Sequence, residues 1–569
     1  MEHASPATIV EPVERPAPSP DDGRAAGRAD RLGARLRPLA EPATALMLLA
    51  LAAAIVNFFL LISDYRNLFV HPDNHQFILK EGLRDGLAIG WRDLPNAFQL
   101  RAEGESRPRF LTYLFLSFDQ KLRLLLYDWL PTHPTVAPAA WAVNLLAGTY
   151  CLYRLMVNVT GDRLAALAAL AVYLSGTGFL SGFTMHFMPG KTLSNTTLIV
   201  ALWAASEAVK RLRPGQLLVE RPGWHKYLML AIILVGLFLD EMPITTLFLL
   251  PLFFWSAFVP RWPWTPPMQQ VGAFVKNGLF YAIPVLAFLV WVLVVMPPLT
   301  NYLWGFTFDY LGDTLLAGGH TRTAPSLGVA VVRGVDSEVL LGNLGTLFGL
   351  SLVPRQISPF ILTVNGTWPE SQVTNLPKIV VLALFFALAI AVAVKSTGRL
   401  AMHLRGLLAA LPIFILFLSL LMVRHIPVVT GYYYGAIFAS LFALLVGMLV
   451  AGVSQVWPRA RAFAALAVLA IVGVQSVNYW PLNYGWRVTH DEGLTRDRMA
   501  KAQLQRDRRI PLQAEPHDLT KDEVQAIWLA WKQDRLERYL RDNRVSAAAV
   551  YEVVELQELD RARQRRPGQ

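Results

Sequence analysis

The chain has 569 residues, of which 54% are hydrophobic and 16% are charged, and its formal net charge is +11. Soluble globular proteins have about a quarter of their residues charged, so this composition excludes that class and indicates a membrane protein. The single cysteine, Cys151, excludes an intrachain disulfide and a cysteine-based metal cluster. The surplus of Lys and Arg lies in short clusters beside apolar runs, which predicts membrane orientation and no nucleic-acid partner.

Residues 1–43 are rich in Pro, Ala and Arg and show no helical periodicity, which predicts a disordered tail. Four arginines lie between positions 28 and 37, directly before the first long apolar segment. Because positively charged flanks stay in the cytoplasm, we expect a cytoplasmic N-terminus and a first span that runs outward. The location expected for such a chain is the bacterial inner (plasma) membrane.

A helix needs about 20 mostly apolar residues to cross a bilayer, and we predict about eleven such spans between residues 44 and 477. The predicted spans are 44–63, 137–157, 164–185, 192–209, two short spans within 227–258, then 277–297, 378–394, 405–423, 430–453 and 462–477. Several short connections between them carry Arg and Lys and are expected on the cytoplasmic side. The predicted fold is therefore an all-α polytopic membrane protein with its C-terminus outside.

Two long connections, residues 64–136 and 299–377, are expected on the outer side. Within the first, residues 110–130 are interrupted by four charged side chains, which are costly in hydrocarbon. We therefore expect an amphipathic helix lying along the outer membrane surface instead of a span. Residues 227–258 exceed one span and are broken at 240–243, which predicts two short spans joined by an outer hairpin.

The C-terminal residues 478–569 are polar and carry helical signals. Thr520 and Glu523 form a capping box that opens an amphipathic helix. This pattern predicts a small helical module on the outer side, with no motif of its own.

Four short motifs follow one another in the first half of the chain. They are PDNH at 72–75, WRDLP at 91–95, RPRFLTY at 107–113 and GDRLAALAAL at 161–170. In order and spacing they resemble the motifs of the type-C glycosyltransferases, in the branch of the protein mannosyltransferases and aminoarabinose transferases. The resemblance covers about residues 44–258. Asn74 stands where these enzymes usually have a second acid.

The resemblance implies a multi-span enzyme that takes a sugar from a polyprenyl-phosphate donor and inverts its anomeric carbon. The acceptor is a glycan, a lipid or a protein on the outer side, and membrane lipids surround the enzyme. Asp73 stands at the position of the general base.

The residues themselves allow the same chemistry. Such a transfer needs a base near the membrane surface to deprotonate the acceptor, and cations or dipoles to stabilise the leaving phosphate. Asp73 follows the first span by ten residues, which keeps it near that surface. The alternative is that Asp73 caps the amphipathic segment after it, as Asp often does.

Further substrate-binding candidates are polar or charged residues at the expected outer ends of spans or in outer loops. They are His75, Arg107, Arg109, His186, Lys191, Asp240, Glu241, His320, Arg322, Arg424, His425 and Tyr433. Each has a plainer alternative, such as a water-facing turn at 240–241, interfacial snorkelling of a lysine, a surface loop or an aromatic belt. Acids inside or beside a membrane favour the functional interpretation.

Cofactor signals are few. His71 and His75 flank Asp73, but no third ligand has clear metal-binding spacing, so we expect no metal, with a divalent ion as the alternative. The sequence contains no glycine-rich nucleotide-binding motif, which speaks against ATP or a nucleotide sugar as substrate.

Two other function classes remain open from the sequence. A lipid-glycan transporter would also have many spans, but it should show broken helices in paired halves. A non-catalytic membrane component of an envelope polysaccharide system would keep the architecture without the role of Asp73.

Overall fold

The structure is a computed structural model of the full chain. It describes residues 41–63, 111–112, 114–115, 118, 122, 138–184, 189–210, 212, 217–220, 223–240, 242–258, 267–305, 307, 337–354, 376–421 and 435–485. The predicted tail before Glu41, most of residues 64–136 and the C-terminal module after Gly485 lie outside these described residues.

All regular structure in the described residues is helical. The helices are α1 (Pro42–Ser63), α2 (138–160, with a π-helical turn at Val143–Gly148), α3 (Arg163–Ser175), α4 (Thr177–Thr184), α5 (Pro189–Val209), α6 (Trp224–Leu239), α7 (Thr246–Phe253), α8 (Trp255–Phe258), α9 (267–304, with a π-helical turn at Trp291–Val295), α10 (Ser337–Leu352), α11 (Leu376–Lys395), α12 (Gly398–Leu421), α13 (Ala436–Val456) and α14 (Arg461–Gly485).

Six of these helices, α1, α9, α11, α12, α13 and α14, are long and apolar enough to cross a membrane. Three shorter apolar helices lie at residues 163–175, 224–239 and 243–253. The described part of the chain is therefore an all-α polytopic membrane protein, as predicted. The number of about eleven crossings stays a prediction, since a span needs about 20 apolar residues.

Helix α13 lies at the centre of the bundle. Its sequence is apolar on every side, which is typical of a helix that touches protein all round. Its most apolar stretch is completely buried inside the protein. In the other five long helices, only 22% to 50% of the corresponding stretch is buried. Alanine-rich α3 packs along it, because small side chains let two helix backbones approach closely.

One end of the bundle is held by Arg461, the first residue of α14. Its guanidinium lies 3.0 Å from Glu41 before α1 and 3.6 Å from Asp162 before α3. Asp162 also caps α3, since its carboxylate accepts a hydrogen bond from the Leu164 amide at 2.8 Å. We name this end, where α1, α3 and α14 all begin, the arginine end.

The opposite end contains the start of α5 and the end of α6. Thr112 lies there, and its hydroxyl donates a hydrogen bond to the carbonyl of Leu239. Asn478, in the last part of α14, lies at the same end of the bundle. Its side chain donates hydrogen bonds to the carbonyls of Leu350 and Val353, which ties α10 to the bundle. We name this end the Thr112 end.

Helix α10 is a departure from the predicted outer loop 299–377, in which no helix was foreseen. Its ring Phe348 is fully buried and lies 4.9 Å from Phe386 and 4.8 Å from Phe438, measured between ring centroids. The helix was missed because glycines interrupt its apolar pattern, which lowers its helical signal. Burial of its aromatic side against α11 and α13 compensates for that weak propensity.

Other boundaries differ less. Helix α9 is longer than the predicted span 277–297, α12 begins before the predicted residue 405, and α14 runs past 477. The extra turns contain polar and charged residues, so hydropathy does not predict them as part of a span. Helices can continue in this way beyond the hydrocarbon core. The predicted break at 240–243 is confirmed, since α6 ends at Leu239 and a short 3₁₀ helix, Met242–Thr245, follows.

Candidate functional site

The Thr112 end brings together three parts of the chain that the sequence singled out. Thr112 is 2% exposed, and its hydroxyl satisfies the carbonyl of Leu239, which a helix end would leave without a partner. Gly190, at the start of α5, lies against both groups, and a Cβ there would come 2.5 Å from the Leu239 oxygen. Thr112, Gly190 and Leu239 therefore form one contact, which we name the Thr112 junction.

Two of the predicted substrate-binding cations are close in the sequence to residues of this junction. Lys191 directly follows Gly190 in α5, and Arg109 precedes Thr112 by three residues. Arg109 and the side chain of Lys191 lie outside the described residues, so their roles in substrate binding stay predictions.

Asp240 is the one predicted site residue whose side chain the structure describes. It directly follows α6, is 1% exposed, and its amide donates to the Gly236 carbonyl at 2.9 Å. The alternative of a water-facing turn is therefore wrong for Asp240. The end of α6 is tightly packed here, since a Cβ on Gly236 would lie 2.6 Å from the Thr197 hydroxyl and 3.0 Å from Pro243 Cγ. Acids inside or beside a membrane are functional candidates, and the role of Asp240 stays a prediction.

The remaining predicted site residues cannot be compared with the structure. Asp73, His75, Arg107, Arg109, His186, Glu241, His320, Arg322, Arg424, His425 and Tyr433 all lie outside the described residues. Their roles stay predictions. Among the described residues, no group of three His, Cys, Asp or Glu side chains is placed to hold a metal ion.

Sequence reasoning missed a layer of polar side chains at the start of α5. Asn195 donates to the Tyr173 hydroxyl at 3.2 Å and accepts from Ser440 at 2.5 Å, and Thr196 donates to Asn144. These bonds tie α5 to α2, α3 and α13 inside the bundle. The signal was present, since residues 192–197 read TLSNTT in an otherwise apolar stretch. The layer holds the start of α5, and hence Gly190 and the backbone of Lys191, in a fixed position.

A second missed feature is Lys378 at the start of α11. It is 2% exposed and packs beside Gly345 of α10, at the Thr112 end of the bundle. The sequence analysis treated this lysine only as the first residue of a span. Because it lies at the same end as the Thr112 junction, it joins the residues to be tested for substrate binding.

A small cleft lies between α4, α10, α13 and α14, where Gly176 separates α3 from α4. Its polar lining includes Thr177, Ser351 and Gln475, and Gln475 accepts a hydrogen bond from Ser175 at 2.5 Å. The enclosed space holds about one water molecule. The cleft is therefore too small for a sugar.

Comparison of the chain with protein-family models, with curated proteins and with solved structures finds no match.

Proposed function

We propose that this chain is a membrane glycosyltransferase that moves a sugar from a polyprenyl-phosphate donor to an acceptor at the outer membrane surface. In this proposal the chain crosses the membrane about eleven times, with the arginine end in the cytoplasm and the Thr112 end outside. Asp73 deprotonates the acceptor, which then attacks the anomeric carbon in a single inverting displacement.

The convergence at the Thr112 junction is the observation that carries the proposal. The segments that hold Arg109, Lys191 and Asp240 are far apart in the sequence, and each was selected for its own reason. The contact among Thr112, Gly190 and Leu239, which are neighbours of these residues in the sequence, supports a shared site at this end.

The roles follow from the chemistry of the leaving group. As the bond to the sugar breaks, negative charge develops on the lipid phosphate, and cations fixed in advance lower that barrier. Lys191 and Arg109 are the proposed phosphate ligands, with Lys378 as a further candidate. The polar layer at the start of α5 supports this role, because it holds the backbone of Lys191 in place. A cation stabilises a transition state well only when its position is fixed.

The experiment supplies purified protein in liposomes with a polyprenyl-phosphate sugar that is radiolabelled in the sugar. We expect label to move to a water-accessible or lipid acceptor in a membrane extract, and unlabelled donor to compete. Movement of intact labelled donor across the bilayer, without transfer, would instead identify a lipid-glycan transporter. If neither transfer nor movement of the donor is observed, the protein is a non-catalytic component.

A further inference from the structure

A second feature lies on the side of the bundle near the arginine end, away from the Thr112 junction. Here α2, α5 and α6 expose aromatic and basic side chains side by side. We name this surface the aromatic–basic face, and it consists of Leu146, Tyr150, Arg154, Trp203, Glu207, Lys210, Trp224 and His225.

The residues of α2 on this face change character with depth. Leu146, Tyr150 and Arg154 follow at intervals of four residues, so they lie on one side of the helix. Leu146 is 73% exposed and Tyr150 is 57% exposed, and the Arg154 side chain is 41% exposed. The order from apolar to aromatic to cationic matches the passage from acyl chains to head groups at a membrane surface.

The aromatic rings of this face form a continuous row of contacts. The Tyr150 ring lies 6.3 Å from the Trp203 ring, and Trp203 lies 6.2 Å from His225. His225 stacks on Trp224 at 4.0 Å, and Trp224 is 61% exposed. Such a row is expected at the level of lipid head groups, where a ring can be half in hydrocarbon and half in water.

The basic row lies one helical turn beyond the aromatic row. Arg154 and Lys210 both bind the nearly buried carboxylate of Glu207, at 3.1 Å and 2.7 Å. Because two cations share one carboxylate, the cluster keeps a positive charge on a surface that faces the membrane boundary. Arg154 binds Glu207 through Nη2, while its Nε has no hydrogen-bond partner among the described residues.

From this arrangement we propose that the aromatic–basic face is a binding site for an anionic phospholipid. The lipid phosphate binds the outer donors of Arg154 and Lys210, and one acyl chain runs along Tyr150 and Leu146. A guanidinium fits a phosphate better than it fits neutral groups, and basic pockets between spanning helices favour anionic head groups. The site does not depend on sugar transfer, but it rests on the proposed topology, in which α2, α5 and α6 cross the membrane and the arginine end is cytoplasmic.

The test measures lipid preference of the full-length protein in mixed micelles. Phosphatidylglycerol or phosphatidylcholine with the same acyl chains is titrated, and the temperature of half-unfolding gives an apparent Kd for each lipid. A cation near the membrane surface contributes about 1 kcal/mol to anionic lipid binding, so wild type should prefer phosphatidylglycerol about 5-fold. Arg154→Gln should abolish this preference.

Glu207→Gln separates lipid binding from a purely structural ion cluster. Removing the carboxylate frees a second positive charge, so the preference for phosphatidylglycerol should rise further, by about 5-fold. A cluster that only joins α2 to α5 would lose stability in both lipids and gain no preference. This variant also keeps the test decisive if Arg154→Gln fails to fold.

Lys276→Gln is the matched control, since Lys276 is an exposed cation on α9 outside this face. It should leave the lipid preference unchanged. The proposal is overturned if wild type shows no preference, if Glu207→Gln does not increase it, or if Lys276→Gln reduces it as much as Arg154→Gln does. It is also overturned if inorganic phosphate stabilises the protein as well as the lipid does, because the acyl-chain row would then have no role.

Discussion

Gly190 is the residue at which the candidate site has least room. A Cβ at this position would overlap the Thr112 hydroxyl and come 2.5 Å from the Leu239 carbonyl oxygen. The sequence identified the neighbourhood of this residue, since Lys191 and Asp240 were both selected. It did not identify Gly190 or Thr112, because their importance comes from a contact between distant segments. Thr112 and Leu239 are 127 residues apart in the sequence. Local patterns contain no information about such a contact.

We predict that Gly190→Ala lowers the stability of the protein by about 1–3 kcal/mol, the usual cost of overpacking a tight contact. The added methyl group must push α6 or Thr112 away, which would also displace the segments that carry Arg109 and Asp240. Sugar transfer should therefore fall more than the loss of folded protein explains. Thermal unfolding in detergent and the transfer assay measure the two effects.

Gly272→Ala is the control for this prediction. Its Cβ would meet no atom within 4 Å, and it lies in the second turn of α9. Removing a helix glycine should leave stability unchanged or raise it by up to about 1 kcal/mol. Equal effects of the two substitutions would show that Gly190 does not form a tight junction.

At the level of helices, the packing of α13 against α2 and α3 has a similar contact. A Cβ on Gly447 would lie 2.8 Å from the Ala165 carbonyl oxygen, 2.7 Å from Met156 Cε and 3.0 Å from Ala169 Cβ. The backbone carbonyl of α3 cannot move without its helix. The glycine therefore sets the distance between α13 and the helices around it.

Gly447→Ala should lower the free energy of unfolding by about 1–3 kcal/mol, because the helices must separate to admit the methyl group. Gly473→Ala in α14 is the matched change, since nothing lies within 4 Å of its Cβ and the helix gains propensity. Unfolding by a denaturing detergent would give both values. A stable Gly447→Ala protein would mean that α13 and α3 are not in close contact.

The sequence predicts a helix when its own hydropathy specifies it, and misses a helix whose stability depends on distant residues. Long apolar segments such as α1, α11 and α13 were predicted because hydropathy alone specifies them. Helix α10 was not, since its burial depends on Phe386 and Phe438, which the chain supplies later. The central place of α13 also could not be read from its pattern with certainty, because lipid and protein both accept an apolar surface.

For the whole molecule, the arrangement of helix ends predicts which connections share a side. Helix α10, Ser337–Leu352, lies within the long connection 299–377 that the sequence predicts on the outer side. We predict that it does not cross. Reporter fusions after Gly104, Gly319, Gly366 and Pro567 should then all report from outside the cytoplasm.

The fusions after Gly319 and Gly366 form the decisive pair, because only α10 lies between them among the described helices. Opposite signals from these two would mean that α10 is a span. A cytoplasmic signal from the C-terminal fusion alone would mean that one of the later crossings was counted wrongly. Either result would place some of the proposed site residues on different sides of the membrane.

In the proposed mechanism, a carboxylate at the outer surface drives sugar transfer. Substitution of Asp73 tests this mechanism most directly. Asp73→Asn keeps the size of the side chain and removes the base, so transfer should fall about 100- to 10,000-fold while donor binding changes little. Asp64→Asn, at the end of the first predicted span, is the control and should transfer sugar at close to the wild-type rate. The measurement is the initial rate of label transfer in membranes with matched expression. A normal rate for Asp73→Asn, or a dead Asp64→Asn beside an active Asp73→Asn, would contradict the account.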